Sequence, residues 1–360
     1  MPITIDELRR FTVARNFPNP AKLNRALQEM GFVQADPIRA PARAQDLILR
    51  HRVKDYHAGD LERRYASLDI EEDFFVNYGY VTRSVQALMH PRSNTLLPNQ
   101  KRKAKLLLDF VRERGVVHPR EVDEHFAHGR VTNYWGGSSN ATTHLLDAMH
   151  YTGLLRIVRR EKGIRIYAAY NHTPVPRDAA ERRARIDALV DLVVRIYAPL
   201  RGASLSYYVR RLRWAVPQWR KELPGALTRA KQRLSHARIG DVDWYWPADE
   251  TAEGHAIQDV VRLLAPFDPV VHDRDRFELL WNWTYRFEAY TPAAKRKLGY
   301  YAMPLLWRDR VIGWANLSIR NDVLDYSLGF VNGNGPLDRE FKRELEAELG
   351  RVREFLSDHK

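Results

Sequence analysis

Apolar residues recur every three to four positions through KRKAKLLLDFVRERG, which sets Leu106, Leu107, Phe110 and Val111 on one helical stripe that Gly115 stops. VVHPREVDEHFA reads as a shorter helix, with Pro119 suited to its first turn and Val122 and Phe126 turned inward. GGSSNATTHLLDAMHYTGLL opens on Ser and Asn capping residues, carries Leu145, Leu146 and Met149 inward, and stops at Gly153. LLRIVRREKGIRIYAAY then shifts to two β-rich runs joined by a tight turn at Lys162-Gly163. Three helices and a hairpin in that order are the grammar of a winged helix.

Similar grammar flanks this unit. Upstream, TIDELRRFTVARNF, PAKLNRALQEMG and ARAQDLILRHRV are helical stretches, followed by the acidic–aromatic EEDFFVNYGYVTRSVQALMHPR. Downstream, AAERRARIDALVDLVVRIYAPL, SLSYYVRRL and ELPGALTRAKQRL precede RIGDVDWYWPA, where Gly240-Asp241 turns a short wing. From Asp259 the pattern alternates in β-rich runs, VVRLLAPFDPVV through VLDYSLGFV, which fits a small barrel or sheet. FKRELEAELGRVREFL closes the chain with Phe341, Leu345, Leu349, Val352 and Leu356 along one core-facing stripe. The expected fold class is mainly α with β: winged-helix units over 1–98, 99–172 and 173–256, then a β-barrel-like domain with a terminal helix over 257–360.

Composition narrows the function. In 360 residues, 44% are hydrophobic and 11% aromatic, enough for packed cores. Lys and Arg number 58 against 45 Asp and Glu, a net charge of +13, which favours a polyanionic partner. The stretch from Arg177 to Arg238 alone holds fifteen basic and five acidic residues, a balance of +10, interleaved with Tyr197, Tyr207, Tyr208, Trp214 and Trp219. Arg neutralises phosphates while aromatic faces stack on bases or fill a core, so this segment is expected to meet nucleic acid. The absence of Cys excludes disulfides, thiolate zinc sites, iron–sulfur clusters and cysteine nucleophiles. No apolar run approaches a membrane span, and the start, MPITIDELRRF, reads as a first helix rather than a signal peptide. A cytoplasmic, nucleoid-associated monomer is expected.

Absent motifs exclude further chemistry. There is no Walker-type phosphate loop and no G-x-G-x-x-G opening a βαβ unit. His118, His125 and His128 cluster, with Glu121 one helical turn before His125, yet they carry no metal signature and Gly129 ends the helix there; neither metal nor cofactor is expected. ELPGAL, Glu222 to Leu227, lacks the second glycine of a helix–hairpin–helix and reads as a turn between helices. Asp241 and Asp243 read as turn and solvent residues, and no compact carboxylate cluster suits a two-metal nuclease.

The distinctive segment is MGFVQADPIRAPARAQDLILRHRV. A helix ends at Gly31, Phe32 and Val33 re-enter the core, and Gln34 and Asp36 stand two apart in an extended linker, where side chains share a face. By itself, Asp36-Pro37 reads as a cap and first position of the next helical turn. The longer string resembles the YcaQ/AlkX group of winged-helix DNA glycosylases, a branch of the AlkZ-like superfamily that carries Q-x-D where AlkZ relatives carry Q-x-Q. LLAPFDPVVHDRDR, Leu263 to Arg276, and EAYTPAAKRKLGYYAMPLL, Glu288 to Leu306, are similar to the group's C-terminal signatures. NYGYVTRSVQALMHPR departs from the better-studied members outside His90-Pro91, which bears on lesion spectrum more than on reaction class.

The resemblance implies tandem winged helices with a C-terminal barrel around a basic channel, acting on damaged double-stranded DNA in base excision repair. It implies monofunctional hydrolysis of the N-glycosidic bond of alkylated purines, including interstrand crosslinks through guanine N7, with Gln34 and Asp36 as catalytic residues. An N7-alkylated guanine is already cationic and leaves without protonation, so the demands are a carboxylate for the oxocarbenium and the water, and an amide to orient that water. Expected DNA contacts are Arg39 and Arg43 beside the motif, Ser139, Asn140, Thr143 and His144 on a recognition helix, Lys162 on its wing, and Lys295 and Arg296 in the barrel signature. A non-catalytic winged-helix regulator explains charge and helices equally well; it leaves Q-x-D as an accident of capping and gives the C-terminal domain no task.

Overall fold

The computed structural model describes residues 3–357 apart from 93–95, 97, 127–128, 133–137, 173–175, 177 and 322. Among the described residues it is a mixed α/β protein with fourteen α-helices and several small sheets whose ladders are antiparallel. The chain groups into two compact units. One comprises Met1–Leu61, Asp191–Tyr208 and Leu227–Lys360, the other Glu62–Val190 and Val209–Ala226.

In the second unit, helices Pro98–Arg114, Pro119–Phe126 and Ala141–Thr152 precede a hairpin of strands Leu155–Glu161 and Ile164–Ala169, whose inner strand also pairs with Val116–Val117. The hairpin turns at Lys162 and Gly163, both at positive φ (50° and 84°), as a tight two-residue turn requires. On the first of these helices the buried stripe is Ala104, Leu107, Leu108 and Val111 with Phe110, while Leu106 is exposed. Leu108 replaces Leu106 because positions 104, 107, 108 and 111 follow the i, i+3, i+4, i+7 rule that a triple leucine leaves open.

The acidic run in the same unit has a structural use. Strand Ile70–Phe74 pairs with Tyr78–Thr82 and buries Glu71, Glu72 and Asp73 in succession. Arg156 and Arg83 reach Glu71 at 2.5 and 3.1 Å, and Arg160 grips Glu72 at 2.5 and 2.7 Å. Arg92 donates to Asp73 at 2.8 Å, and the His90 ring nitrogen lies 2.6 Å from its other oxygen. Burial works to raise the Asp73 carboxyl, yet Arg92 and His90 hold it well below the ordinary range. Consecutive buried carboxylates are tolerable only when each is paired.

In the first unit, Thr4 and Glu7 form a reciprocal capping box that starts helix Ile5–Asn16. Strands Ser235–Ile239 and Val242–Trp246 turn at Gly240 and Asp241, and Leu200–Arg201 adds a third strand. Over the expected barrel region, strands Val261–Leu263, Met303–Trp307, Arg310–Arg320 and Val323–Phe330 pair in chain order as a four-stranded meander with two edges.

Helix Arg339–Leu356 buries Phe341, Glu348, Leu349, Val352 and Phe355; Phe341 meets Trp307 and Phe330 of the sheet, while Phe355 stacks on Tyr56 at 6.3 Å. Leu345 and Leu356 are only half-buried. Glu348 takes an inward place because its carboxylate accepts Leu263 N at 2.9 Å, Arg50 at 2.6 Å and Arg351 at 3.0 Å. Removing one member of so buried a set leaves the others unpaired. Glu348→Ala is therefore expected to lower stability by about 3–5 kcal/mol, read from urea unfolding; a loss below about 1 kcal/mol, the worth of an exposed pair, would show that water replaces the carboxylate.

Candidate active site

Helix Leu23–Met30 ends at Gly31 in the left-handed region (φ 67°), where a Cβ would lie 2.6 Å from Leu192 Cδ1. Glycine satisfies both demands. The chain then buries Phe32 and Val33 in the short strand Phe32–Gln34, which leaves Gln34 and Asp36 half-buried at the head of an irregular loop. Asp36 Oδ1 accepts the Ile38 N–H at 2.9 Å, an Asx turn, and Asp36 N–H donates to Gln45 Oε1 at 3.3 Å. The other Asp36 oxygen accepts nothing from the described residues.

No helical turn follows Asp36-Pro37; the next helix, Ala44–Leu49, begins behind Arg43, which makes no side-chain cap bond. The capping reading of Asp36 is thereby corrected. Pro41 disfavours helical backbone at Ala40, which leaves room for less than one full turn after Pro37. Burial raises the Asp36 carboxyl above the ordinary aspartate value, with the Ile38 bond opposing.

The loop forms one wall of an open cleft of about 710 Å³, lined by Arg39, Ala40 and Pro41 on one side and by Tyr300, Tyr301, Asn316 and further sheet residues on the other. Beside the sheet residues, the far wall takes Gly299, Tyr300 and Tyr301 from the segment 288–301. Buried Glu288 accepts the N–H groups of Lys297, Leu298 and Gly299 at 2.8, 2.8 and 3.3 Å, gathering that turn around one carboxylate. Gly299 (φ 120°) passes so close to Asn316 that a Cβ would lie 2.3 Å from its Oδ1. Asn316 Nδ2 donates to Leu298 O at 2.8 Å, whereas its Oδ1 is buried without a partner among the described residues. The Tyr301 ring packs edge-on against Phe287 at 5.4 Å, and its hydroxyl too is buried and unpartnered. After burial, the Asp36 carboxylate is the largest influence raising the Tyr301 phenol.

The family model described as DNA glycosylase AlkZ-like matches residues 27–355. The chain belongs to the AlkZ-like DNA glycosylase family. Its fold is similar to that of Streptomyces sahachiroi DNA glycosylase AlkZ, with a TM-score of 0.62 and 14% identity over 99% of this chain and 97% of that one. Membership makes this a DNA glycosylase of repair. No helix among the described residues is long and apolar enough to cross a membrane.

Within this AlkZ-like chain the sequence-derived site residues fall into two groups. Gln34, Asp36, Arg39, Arg43, Lys295 and Arg296 belong to the first unit. Arg39 is exposed on the cleft, Arg43 half-buried, and Lys295 exposed in the 3-10 turn Ala293–Lys295. Arg296 donates to Thr291 O at 2.8 Å and covers the Tyr300 ring at 5.0 Å, so it also braces the cleft wall. Asn140, Thr143, His144 and Lys162 belong to the other unit. Asn140 caps helix Ala141–Thr152 by accepting Thr142 N–H at 2.7 Å; Thr143 and His144 are exposed on that helix, and Lys162 is at the hairpin tip. The Ser139 side chain and His128 lie outside the described residues.

Of the remaining histidine cluster, His118 accepts Arg120 N–H at 3.0 Å and His125 stacks on Phe110 at 4.5 Å. No group of three or more metal-ligating side chains comes together among the described residues. In ELPGAL, a 3-10 turn ends at Glu222 and helix Leu223–Arg233 takes Pro224 and Gly225 into its first turn. Sequence reasoning missed Glu288, Tyr301 and Asn316. The first two sat inside the string that carried the family resemblance, without a role attached. Replacing Glu288 with Ala is expected to strip three N–H groups of their acceptor, cost about 2–3 kcal/mol and speed amide exchange at 297–299; unchanged exchange there would show that the turn does not depend on this carboxylate.

Proposed function

We propose that this glycosylase hydrolyses the N-glycosidic bond of alkylated purines, N7-alkylguanine monoadducts or interstrand crosslinks, as a monofunctional enzyme on double-stranded DNA. Asp36 stabilises the oxocarbenium that develops at the sugar and accepts the proton of the attacking water, and Gln34 orients that water through its amide. The observation that carries the reading is the state of Asp36: a half-buried carboxylate with one oxygen tied to Ile38 N–H and the other unclaimed, beside a cleft that opens past Arg39. Partial burial raises the carboxyl and so makes it a better base than a solvated aspartate. A crosslinked base cannot be extruded into a closed pocket, and an open cleft suits attack without full flipping.

The order of helices and hairpin over 98–169 supports a winged helix, in which Ala141–Thr152 is the recognition helix presenting Asn140, Thr143 and His144, with Lys162 on the wing. Arg39, Arg43, Lys295 and Arg296 supply phosphate contacts around the cleft. The protein works as a nucleoid-associated monomer in the cytoplasm.

The test is excision from duplex DNA bearing one N7-methylguanine, without added metal, with breaks counted before and after alkali. Asp36→Asn keeps an oxygen for the Ile38 N–H, so the loop is retained; its rate is expected to fall on the order of 10²–10⁴-fold with unchanged DNA affinity. Wild-type activity in that variant would remove Asp36 from the reaction, and breaks before alkali would argue for a lyase. Because burial raises the carboxyl, the rate should be flat near neutrality and decline on acidification through an apparent pKa above the ordinary 3.8. A profile flat to pH 4 would contradict an essential ionised Asp36.

A further inference from the structure

The cleft wall opposite the Asp36 loop holds a donor without an acceptor. Tyr301 is 2% exposed, and its ring is fixed edge-on by Phe287 at 5.4 Å. Neighbouring Tyr285 donates to Ala302 O at 2.6 Å, the ordinary arrangement for a buried phenol, whereas the Tyr301 hydroxyl meets no partner among the described residues. Asp36 shows the complementary deficit, since one carboxylate oxygen holds Ile38 N–H and the other accepts nothing from the described residues. Both belong to the same compact unit, and Tyr301 lines the cleft together with Arg39, Ala40 and Pro41 of the Asp36 loop.

We propose that Tyr301 is a positioning residue for the glycosylase reaction: its buried hydroxyl is the donor that the second oxygen of Asp36 takes when the carboxylate turns to the sugar. The inference rests on the reading of Asp36 given above. A hydrogen bond from a phenol fixes the carboxylate plane without neutralising it, so the charge stays available to the oxocarbenium. The phenol suits the task because burial, and then Asp36 itself, push it far above its usual value, keeping it protonated throughout the working range. The titratable groups that face the pair are Tyr290, which also feels Asp36, with Tyr285 and Arg274 behind Tyr301. Arg274 is committed to Val271 O and Pro266 O and covers the Tyr285 ring at 4.5 Å, and Tyr285 to Ala302 O, so neither competes for the Asp36 oxygen.

The test is Tyr301→Phe, which keeps the ring against Phe287 and removes only the oxygen, in single-turnover excision of N7-methylguanine across pH 4–9. The expected result is a rate lower by about tenfold at neutral pH, DNA affinity unchanged, and an acid limb displaced upward by about one pH unit, since losing a donor to the ionised form raises a carboxyl. A wild-type rate with a superimposable pH profile would overturn the proposal. So would a lowered rate with an unmoved acid limb, because a merely structural loss slows the reaction without retuning Asp36. Asp36→Asn is measured alongside. If it is inactive while Tyr301→Phe matches wild type, only the role of Tyr301 fails; if it is active, the reading of Asp36 fails and takes this inference with it.

Discussion

The hydrogen bond from Ile38 N–H to Asp36 Oδ1 is the contact on which the site turns. It closes an Asx turn within three residues, and the loop needs no helix or sheet ladder to hold the carboxylate there. Gly31 sets the direction of entry, because only a residue without Cβ passes Leu192 at a left-handed φ. Phe32 and Val33 anchor the approach in the core, and Ala44 begins the helix that receives the chain afterwards. Between those two anchors lies a short stretch that carries the half-buried Asp36 and then lines an open cleft through Arg39, Ala40 and Pro41.

Arginine has two occupations in this chain. Much of the basic excess is visible in sequence as a prospective DNA surface, yet many of its members are spent internally. Arg92 serves Asp73, the Phe74 and Tyr151 carbonyls and Ala215 O, all within one unit. Arg276 is wholly buried and donates to the Pro269 and Val270 carbonyls at 2.5 and 2.7 Å, with Asp273 the nearby carboxylate that favours its charge. Within the basic stretch itself, Arg182, Arg185, Arg195, Arg201 and Arg233 each meet a carboxylate. Net charge therefore speaks for the partner's sign, while the number of side chains available to phosphates is smaller than a count of basic residues implies.

Local patterns were readable where a few neighbouring residues decide the outcome. The turn at Lys162-Gly163, the stop at Gly153 and the inward Leu145, Leu146 and Met149 all follow from short-range rules, and the structure has them. The errors arose where short-range rules are degenerate. Three consecutive leucines fit two stripes, and a glutamate on the terminal helix looks like a solvent residue until Leu263 and Arg50 are brought to it. Asp36 was legible because it sits in a distinctive string, but its turn was misread as a cap: Pro37 suits a helix start, and the veto comes from Pro41. Tyr301 was illegible because it shares a cleft with Arg39, Ala40 and Pro41 only once the fold brings distant segments together, and Glu288 because nothing local marks it as the acceptor of three N–H groups nine to eleven residues on.

The Asx turn asks one thing of residue 36, an acceptor oxygen within reach of the Ile38 N–H. Any short side chain carrying such an oxygen keeps the loop, whatever its charge. The fold of this wall therefore depends on the acceptor at residue 36 and not on its charge, since an amide oxygen there can hold the same N–H.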